Sequence, residues 1–406
     1  MNQIHYSIRR VPARIMRLAA IFVAVSATPL HAEATSSGSE CQILRSSSGE
    51  DGAVITRQAI FNPGEEGSKF YRIPATRVLP SGRIVAVADK RIDSNADLPG
   101  RIDVVARYSD DMGETWSAQI PVMTHDSQGG YGDPCLIYDT REDELLVVAT
   151  HGRGLWDEGD LPSPARITVS RSADGGETWS APADITDQFY GNADTDAPIA
   201  GLTAFATSGR GLQLNDGRMM FALVSRRGDK KWEPLDVYCV YSDDGGRTWT
   251  SSGNPIDTNA DETKFVQLPD GRVMASMRIR EKGTGRKFSY SPDGGRSWST
   301  PAISATLIDP ACNGEVINWT TPEGDKLLLH SLPARGGRKD VALWTSADNG
   351  ATWQPLRQTS FCPSVYSSMA FLPDGTLAML TEEACSDGGL RIIFQRLRLP
   401  RPSAKD

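Results

Sequence analysis

The hydrophobic residues of this chain occur in short runs, and a cluster of turn-forming residues precedes each run. Clusters ending in glycine at 79–82, 214–217, 268–271, 321–324 and 372–375 lead into strand-like runs such as RIVAVAD and RVMASMR. A degenerate sixth cluster spans 139–144, before Leu145. Gly, Pro, Asn and Asp favour tight turns, and the apolar runs that follow are typical of strands. We therefore predict six β-hairpins along the chain.

An eight-residue motif recurs between the hairpins and ends in tryptophan each time. Its five copies, SDDMGETW, SADGGETW, SDDGGRTW, SPDGGRSW and SADNGATW, begin at Ser109, Ser172, Ser242, Ser291 and Ser346. The copies start about 59 residues apart on average, which is the length of roughly four short strands with their turns. Each copy follows a strand-like segment, so we expect a turn in which Asp binds backbone N–H groups. We call this motif the Asp box and expect its Trp to pack between neighbouring units.

The two repeats together predict the fold. Hairpins and Asp boxes alternate, and the last hairpin is followed by a strand-like segment at 390–398 that has no box. This pattern predicts an all-β fold, a six-bladed β-propeller with four-stranded antiparallel blades over residues 56–400. A closed ring leaves no exposed edge, so a strand near Gln58 to Phe61 is expected to complete the last blade.

The first residues have the pattern of a secretory signal peptide. Four arginines between Arg9 and Arg17 precede an apolar run, Leu18 to Leu30, which ends in small residues. We predict a signal peptide over 1–32, a Ser/Gly-rich linker over 33–55, and export to the periplasm or beyond. The apolar run is too short to span a bilayer, and no later segment is longer or more apolar.

Composition and charge exclude several classes of protein. Hydrophobic residues make up 39% of the chain and charged residues 23%, which is typical of a soluble globular protein and excludes a multi-span membrane protein. The formal net charge is −8, and no basic block is present. Nucleic acid is therefore not an expected partner.

Cysteine and histidine usage limits the possible metal and redox chemistry. Six cysteines follow the predicted signal peptide, at positions 41, 135, 239, 312, 362 and 385. In an exported protein their even number permits disulfides, and buried thiols are an equally good interpretation of several of them. No CxxC, HExxH or His/Cys cluster occurs, so we expect neither a metal nor a cofactor.

Certain polar residues lie at matching distances from the hairpin glycines, although strand packing requires no charge there. They lie seven to ten residues before or after the glycine of their own hairpin: Arg72, Glu262, Arg278, Tyr366 and Glu382. These positions are the strand ends remote from the turns. In a propeller such ends share one face, so we expect the five residues to meet around the axis, far from the Asp boxes.

These residues, together with five Asp boxes, resemble the exo-α-sialidases of the bacterial and animal neuraminidase family over about 70–395. Tyr71-Arg72-Ile73-Pro74 is similar to the family's Arg-Ile-Pro motif, and Glu262 with Arg278 sixteen residues later is similar to its base and second arginine. The segments 333–341 and 365–368 are similar to those carrying the third arginine and the nucleophile. The resemblance implies that Arg72, Arg278 and Arg338 bind the carboxylate of a sialic acid, that Tyr366 is the nucleophile with Glu262 as its base, and that Asp97 is the general acid/base.

The chemistry explains why these residue types are needed. Sialic acid carries a carboxylate on its anomeric carbon, and guanidinium groups bind carboxylates through charge-assisted, bidentate hydrogen bonds. An anionic nucleophile approaching that carbon would be repelled by the substrate's own charge. A neutral phenol with a carboxylate as proton acceptor avoids this repulsion and leads to retention of configuration.

The resemblance also implies supporting roles. Glu382 would orient Arg72 through an ion pair, Arg91 and Asp133 would contact ring substituents, and Trp156 would line the pocket. Several alternatives remain open at this point. Asp93 and Asp103 compete with Asp97, Arg335 competes with Arg338, and Glu383 lies beside Glu382 but on the opposite strand face by alternation.

We therefore expect an exo-α-sialidase that hydrolyses terminal α-linked sialic acids with retention. Its partners would be sialylated glycans, glycoproteins or glycolipids. A related ulosonic acid such as Kdn as substrate, or transfer to an acceptor instead of hydrolysis, is an alternative. A sugar-binding propeller without turnover fits less well, because such a protein would need neither Tyr366, Glu262 nor Asp97.

Overall fold

The computed structural model describes residues 53–156, 165–190, 199, 201, 203–228, 234–334, 336–384 and 389–402. The predicted signal peptide, nearly all of the predicted linker, Cys41, Cys385 and Arg335 lie outside the described residues.

The described chain forms six sheets that follow one another in sequence. The first strand, β1 (Val54–Phe61), belongs to the last sheet. Blade 1 contains β2 (Phe70–Val78), β3 (Ile84–Arg91), β4 (Ile102–Ser109) and β5 (Ile120–Met123). Blade 2 contains β6 (Gly130–Asp139), β7 (Glu144–Gly152), β8 (Arg166–Ser172) and β9 (Ala183–Asp184), followed by a 3₁₀ turn over Thr186–Gln188.

The chain continues through the remaining four blades. Blade 3 contains β10 (Thr203–Ala206), β12 (Leu212–Gln213), β13 (Met219–Arg226), β14 (Leu235–Ser242) and β15 (Thr250–Ser251), and a short strand, β11 (Gly209–Arg210), lies between β10 and β12 in the chain. Blade 4 contains β16 (Thr263–Gln267), β17 (Val273–Met277), β18 (Gly285–Ser291) and β19 (Ala302–Ile308). Blade 5 contains β20 (Glu315–Thr320), β21 (Lys326–Pro333), β22 (Val341–Ser346) and β23 (Gln354–Gln358). Blade 6 contains β24 (Ser364–Phe371), β25 (Leu377–Ala384) and β26 (Leu390–Leu397).

The N-terminal strand closes the ring, as the sequence predicts. β1 pairs antiparallel with β26, and Gln58 lies opposite Phe394. Blade 6 therefore combines three strands from the C-terminal end of the propeller with one from its N-terminal end. The six-bladed β-propeller is confirmed.

Blades 2 and 3 differ from the expected four strands. The first strand of blade 3 is interrupted, and its middle part, β11, leaves blade 3 to pair in parallel with β6. Two glycines permit this exchange: a Cβ on Gly209 would lie 2.8 Å from Cε of Lys264, and one on Gly211 would lie 2.5 Å from Cγ1 of Ile137. The absence of side chains at these positions lets the backbone approach both neighbours.

The Asp-box tryptophans pack between blades, as expected. The ring of Trp116 in blade 1 contacts Phe394 of blade 6 edge-on, with centroids 5.1 Å apart. Trp353 of blade 5 stacks on Phe288 of blade 4 at 5.6 Å. Most buried apolar clusters combine residues of two neighbouring blades, so the hydrophobic core is a set of inter-blade layers.

Each Asp box closes its turn through the aspartate at its third position. In the blade 2 copy, Asp174 Oδ1 accepts hydrogen bonds from the backbone N–H of Thr178 at 2.9 Å and from Oγ of Ser172 at 2.7 Å, while Oδ2 accepts one from Oγ1 of Thr178. Burial works against the ionised form, yet these hydrogen bonds outweigh it and lower the pKa of Asp174 from 3.8 to about 2.

This shift predicts a loss of stability in acid. Because the pKa is lower in the folded state, the carboxylate stabilises the fold above about pH 4, and this contribution disappears as the pH falls towards 2. Asp174→Asn should therefore lower the free energy of unfolding more at about pH 6 than at about pH 3, as measured by urea denaturation. Asp187→Asn, at a side chain that is 92% exposed, serves as the control and should show no such difference. An equal loss at both pH values would contradict the assignment.

The cysteines divide into two groups. Cys135, Cys239 and Cys312 are buried free thiols, and Cys362 is disulfide-bonded. Both interpretations of the cysteine content therefore apply, each to different residues. No helix within the described ranges is long and apolar enough to cross a membrane.

Candidate active site

Polar residues from several blades line one cavity of about 290 Å³. It lies at the strand ends remote from the Asp boxes: in blade 1, Ser109 pairs with Ile84 at the turn end, whereas Arg72 pairs with Asp89 near the other end. Seven of the residues predicted to take part in catalysis or to bind substrate groups line it: Arg72, Asp97, Asp133, Glu262, Arg278, Arg338 and Tyr366. The convergence expected from the offset pattern is therefore present in the structure.

The buried Glu382 carboxylate holds Arg72, the first of the three arginines, in place. It accepts hydrogen bonds from Nε and Nη2 of Arg72 at 3.0 and 3.1 Å. It also accepts the backbone N–H groups of Ile73 at 2.6 Å and Tyr366 at 3.2 Å. Ile73 has φ of 59°, a conformation that is strained for a β-branched residue, and the contact with Glu382 holds it there. Glu383, the residue after Glu382, pairs with Arg57 instead, as strand alternation predicts.

Tyr366 lies among charged partners on the cavity wall. Its hydroxyl accepts a hydrogen bond from Nη1 of Arg278 at 3.0 Å. The same Nη1 donates to Glu262 at 2.5 Å. The guanidinium groups of Arg72 and Arg338 lie over the tyrosine ring, 5.2 and 5.6 Å from its centroid. Three arginines therefore surround one phenol and its carboxylate partner.

The electrostatics of this group define its protonation. Burial and the nearby Glu262 carboxylate raise the pKa of Tyr366 well above 10, although the arginines oppose the rise. Burial works against ionisation of Glu262, but the charge of Arg278 and the nearby Tyr366 hydroxyl outweigh it and lower the pKa of Glu262 below 4.5. At neutral pH the pair is therefore a neutral phenol beside a carboxylate, the state needed for proton transfer from nucleophile to base.

The loop between β3 and β4 brings Asp97 into the cavity wall. The Asp97 side chain is 69% exposed, and its Oδ1 is 2.8 Å from Nη2 of Arg91. Its two rivals are engaged elsewhere. Asp93 pairs with Arg101 at the surface, and Asp103 accepts hydrogen bonds from His125. Neither rival lines the cavity.

Arg91 and Asp133 occupy different positions. The side chain of Arg91 is only 1% exposed and lies beneath the Asp97 loop, so the predicted direct contact with substrate does not fit this position. Alternation along β3 predicts on which face of the strand the Arg91 side chain lies. It does not predict that nearby carboxylates keep this side chain buried behind the cavity wall. Asp133 lies in the wall, and burial together with Asp89, Asp97 and Glu262 raises its pKa well above 3.8.

Three further wall residues come from the neighbourhood of Glu262 and from blade 2. Asp261 Oδ2 lies 3.8 Å from Nε of Arg278, and the guanidinium of Arg280 lies 5.1 Å from the ring centroid of Trp156. Trp156 lines the cavity, as predicted. Sequence reasoning missed Asp261 and Arg280. Asp261 lies before β16 and Arg280 lies after β17, so strand alternation gives no signal for either residue.

The described part of the chain contains no group of three or more His, Cys, Asp and Glu side chains placed to hold a metal ion. The cavity instead offers guanidinium groups for an anionic ligand, a phenol with its base, and a separate carboxyl group at the rim. This set suits nucleophilic displacement at a carbon that bears an anionic substituent.

Comparison with known proteins agrees with this geometry. A family model for the BNR repeat-like domain matches residues 93–379. The chain is 32% identical over 355 residues to a sialidase of Micromonospora viridifaciens, an alignment covering 81% of this chain and 52% of that protein. It is 28% identical over 360 residues to a sialidase of Bacteroides fragilis, covering 83% and 63%. The chain thus spans between half and two thirds of the length of these two relatives.

A solved structure extends the likeness to three dimensions. The Hadza microbial sialidase Hz136 superimposes with a TM-score of 0.74 at 28% identity, covering 84% of this chain and 68% of that one. The family model alone covers well over half of the chain, and both the fold and the sequence relatives agree with it. The chain therefore belongs to the sialidase family of BNR-repeat β-propellers.

Proposed function

We propose that this protein is an exo-α-sialidase that hydrolyses terminal α-linked sialic acids from glycoconjugates with retention, using Tyr366 as nucleophile. One observation carries the proposal: the Tyr366 hydroxyl and the Glu262 carboxylate bind the same nitrogen, Nη1 of Arg278, at 3.0 and 2.5 Å, which brings nucleophile and base together. A purely structural tyrosine has no need of this arrangement.

The substrate's carboxylate accounts for the arginines. Arg72, Arg278 and Arg338 all line the cavity around Tyr366, and planar guanidinium groups match a carboxylate's two oxygens. Binding the carboxylate there brings the anomeric carbon, which is directly bonded to it, next to the tyrosine hydroxyl. Held there, the carboxylate stays beside the anomeric carbon, where its negative charge offsets the positive charge that develops on the sugar ring.

The first chemical step breaks the glycosidic bond. The Tyr366 oxygen attacks the anomeric carbon as its proton passes to Glu262, and Asp97 donates a proton to the departing glycosidic oxygen. A covalent glycosyl-tyrosine forms. In the second step Asp97 takes a proton from water, the water oxygen attacks the same carbon, and the tyrosine oxygen leaves and recovers its proton from Glu262. Two displacements at one carbon retain its configuration.

The size of the cavity supports action at chain ends. A volume of about 290 Å³ lies just below the usual range for ligand pockets, roughly 300–1,000 Å³, and suits one sugar residue. The residue bearing the carboxylate would therefore be a terminal one. Export is part of the proposal, and the disulfide at Cys362 is consistent with an oxidising compartment.

The direct test is hydrolysis of 4-methylumbelliferyl α-sialoside and its Kdn analogue, followed by proton NMR of the released sugar. We expect fluorophore release and the α-anomer as the first product, since retention preserves the substrate's configuration. Preference for the Kdn analogue would identify the alternative substrate, and a new glycoside formed with added lactose would identify transfer. No release from either substrate would contradict the enzymatic proposal and favour a sugar-binding propeller.

A further inference from the structure

A buried carboxyl group with no predicted role lies directly behind the cavity wall. Asp89, in β3 and opposite Arg72 in the sheet register, is 1% exposed. Its Oδ2 accepts hydrogen bonds from Nη2 and Nε of Arg91 at 3.1 and 3.4 Å. Its Oδ1 accepts the backbone N–H of Asp133 at 3.1 Å. One carboxyl group thus joins blade 1 to a wall residue of blade 2.

Arg91 extends this connection to the acid/base loop. While Nε and Nη2 contact Asp89, Nη2 also contacts the Asp97 carboxylate at 2.8 Å, and Nη1 donates to the carbonyl oxygen of Asn95 at 2.7 Å. The guanidinium is planar and rigid, so fixing one edge against Asp89 fixes the direction of the donors that reach the loop. The position of Asp97 therefore depends on a side chain that itself does not reach the cavity.

The other residues of the loop between β3 and β4 pack against glycines of blade 2, where no side chain separates the two backbones. A Cβ on Gly154 would collide with the carbonyl group of Leu98, and one on Gly130 would lie 2.6 Å from the backbone nitrogen of Ile102. These contacts set how closely the loop approaches blade 2, but they do not orient a carboxylate. The exposed Asp97 side chain obtains its direction from Arg91.

We propose that Asp89 is a positioning residue for the acid/base step, holding Asp97 in place through Arg91. The inference rests on the proposed sialidase function. In Asp89→Asn an NH₂ group replaces one acceptor oxygen. This group would face the N–H donors of either Arg91 or Asp133, so one of these two contacts is lost. Arg91 is then free to turn, and the Asp97 carboxyl no longer points at the glycosidic oxygen that it has to protonate. Nucleophile, base and carboxylate-binding arginines keep their own contacts.

The test uses two leaving groups that differ in their need for a proton. An aryl sialoside such as the 4-nitrophenyl compound departs as a stable phenolate, whereas the alkoxide of sialyllactose must be protonated as it leaves. For Asp89→Asn we expect kcat/KM on sialyllactose to fall by roughly 10²-fold or more, and on the aryl sialoside by less than about 10-fold. A purely structural role would lower both in parallel.

Two further variants complete the experiment. Arg91→Lys keeps the charge but loses the planar fork, so it should show the same selective loss and stands in if Asp89→Asn does not fold. Asp139→Asn removes an equally buried carboxyl at the turn end of β6, bound to Gln213, and should leave the ratio of the two activities unchanged. Equal losses on both substrates, or none, would overturn the role of Asp89 and leave the sialidase proposal intact. A wild-type protein inactive on both substrates would overturn the sialidase proposal, and the role of Asp89 with it.

Discussion

Tyr366→Phe is expected to lower kcat/KM for sialoside hydrolysis by roughly 10³-fold or more, while affinity for free sialic acid falls far less. The substitution removes the attacking oxygen and the proton that Glu262 accepts. The ring remains beneath Arg72 and Arg338, whose guanidinium groups lie 5.2 and 5.6 Å from its centroid, so the anion-binding arginines keep their support. Steady-state kinetics on the fluorogenic sialoside and calorimetric titration with sialic acid measure the two effects separately.

A second tyrosine provides the matched control. The hydroxyl of Tyr290 donates to the carbonyl oxygen of Asn349 within the blade 5 Asp box, remote from the cavity. Tyr290→Phe loses a hydroxyl of the same kind and should retain wild-type turnover. Normal turnover in Tyr366→Phe would remove Tyr366 from the mechanism, whereas loss of sialic acid binding along with activity would point to a disturbed cavity.

Glu382→Gln should lower both stability and activity by large amounts. The carboxylate accepts two hydrogen bonds from Arg72 and one each from the backbone nitrogens of Ile73 and Tyr366. A glutamine offers one oxygen and presents an NH₂ group to donors, so the buried guanidinium loses its counter-charge. Breaking one side of such a pair costs about 3–5 kcal/mol in the free energy of unfolding. Urea denaturation measures this loss, and kinetics on the folded fraction measures the displacement of Arg72.

The adjacent residue separates the two effects. Glu383 is equally buried and pairs with Arg57 at 2.5 Å on the other face of β25. Glu383→Gln should also destabilise the fold, yet kcat/KM should stay near the wild-type value wherever the protein is folded. If Glu382→Gln kept wild-type kcat/KM, the ion pair would have no part in placing Arg72 for substrate.

Hairpin glycines allowed much of the site to be predicted. Strand residues advance about 3.3 Å each, so residues at equal distance from a turn lie at equal height on neighbouring blades. Glu262 and Tyr366, each nine residues before its glycine, meet for this reason, and Arg72, ten before its glycine, joins them through an irregularity in the β2–β3 register. Glu382 lies on the site face while Glu383 does not because side chains alternate. A spacing argument works wherever the backbone is regular.

The same argument fails for residues outside regular strands, and it does not predict how deeply a side chain is buried. Alternation would direct Asp261 away from Glu262, but β16 begins only at Thr263, so alternation does not govern these two residues. Arg91 has the parity of a wall residue, yet Asp89 holds its guanidinium inside. The pairing of β11 with blade 2 depends on contacts of Gly209 and Gly211 with residues far away in sequence. These features follow from tertiary packing, which a single chain's pattern does not encode locally.

Because β1 pairs with β26, the ring cannot close until its last strand has been synthesised. Residues 54–61 are synthesised first among the propeller strands, and their partner, residues 390–397, comes last. The earlier blades can complete their own sheets as they emerge, but the ring stays open, with one unpaired strand, until translation of the propeller is nearly finished. The seam between the two chain ends is also the one blade that a circular permutant could make continuous, by moving residues 54–61 behind β26.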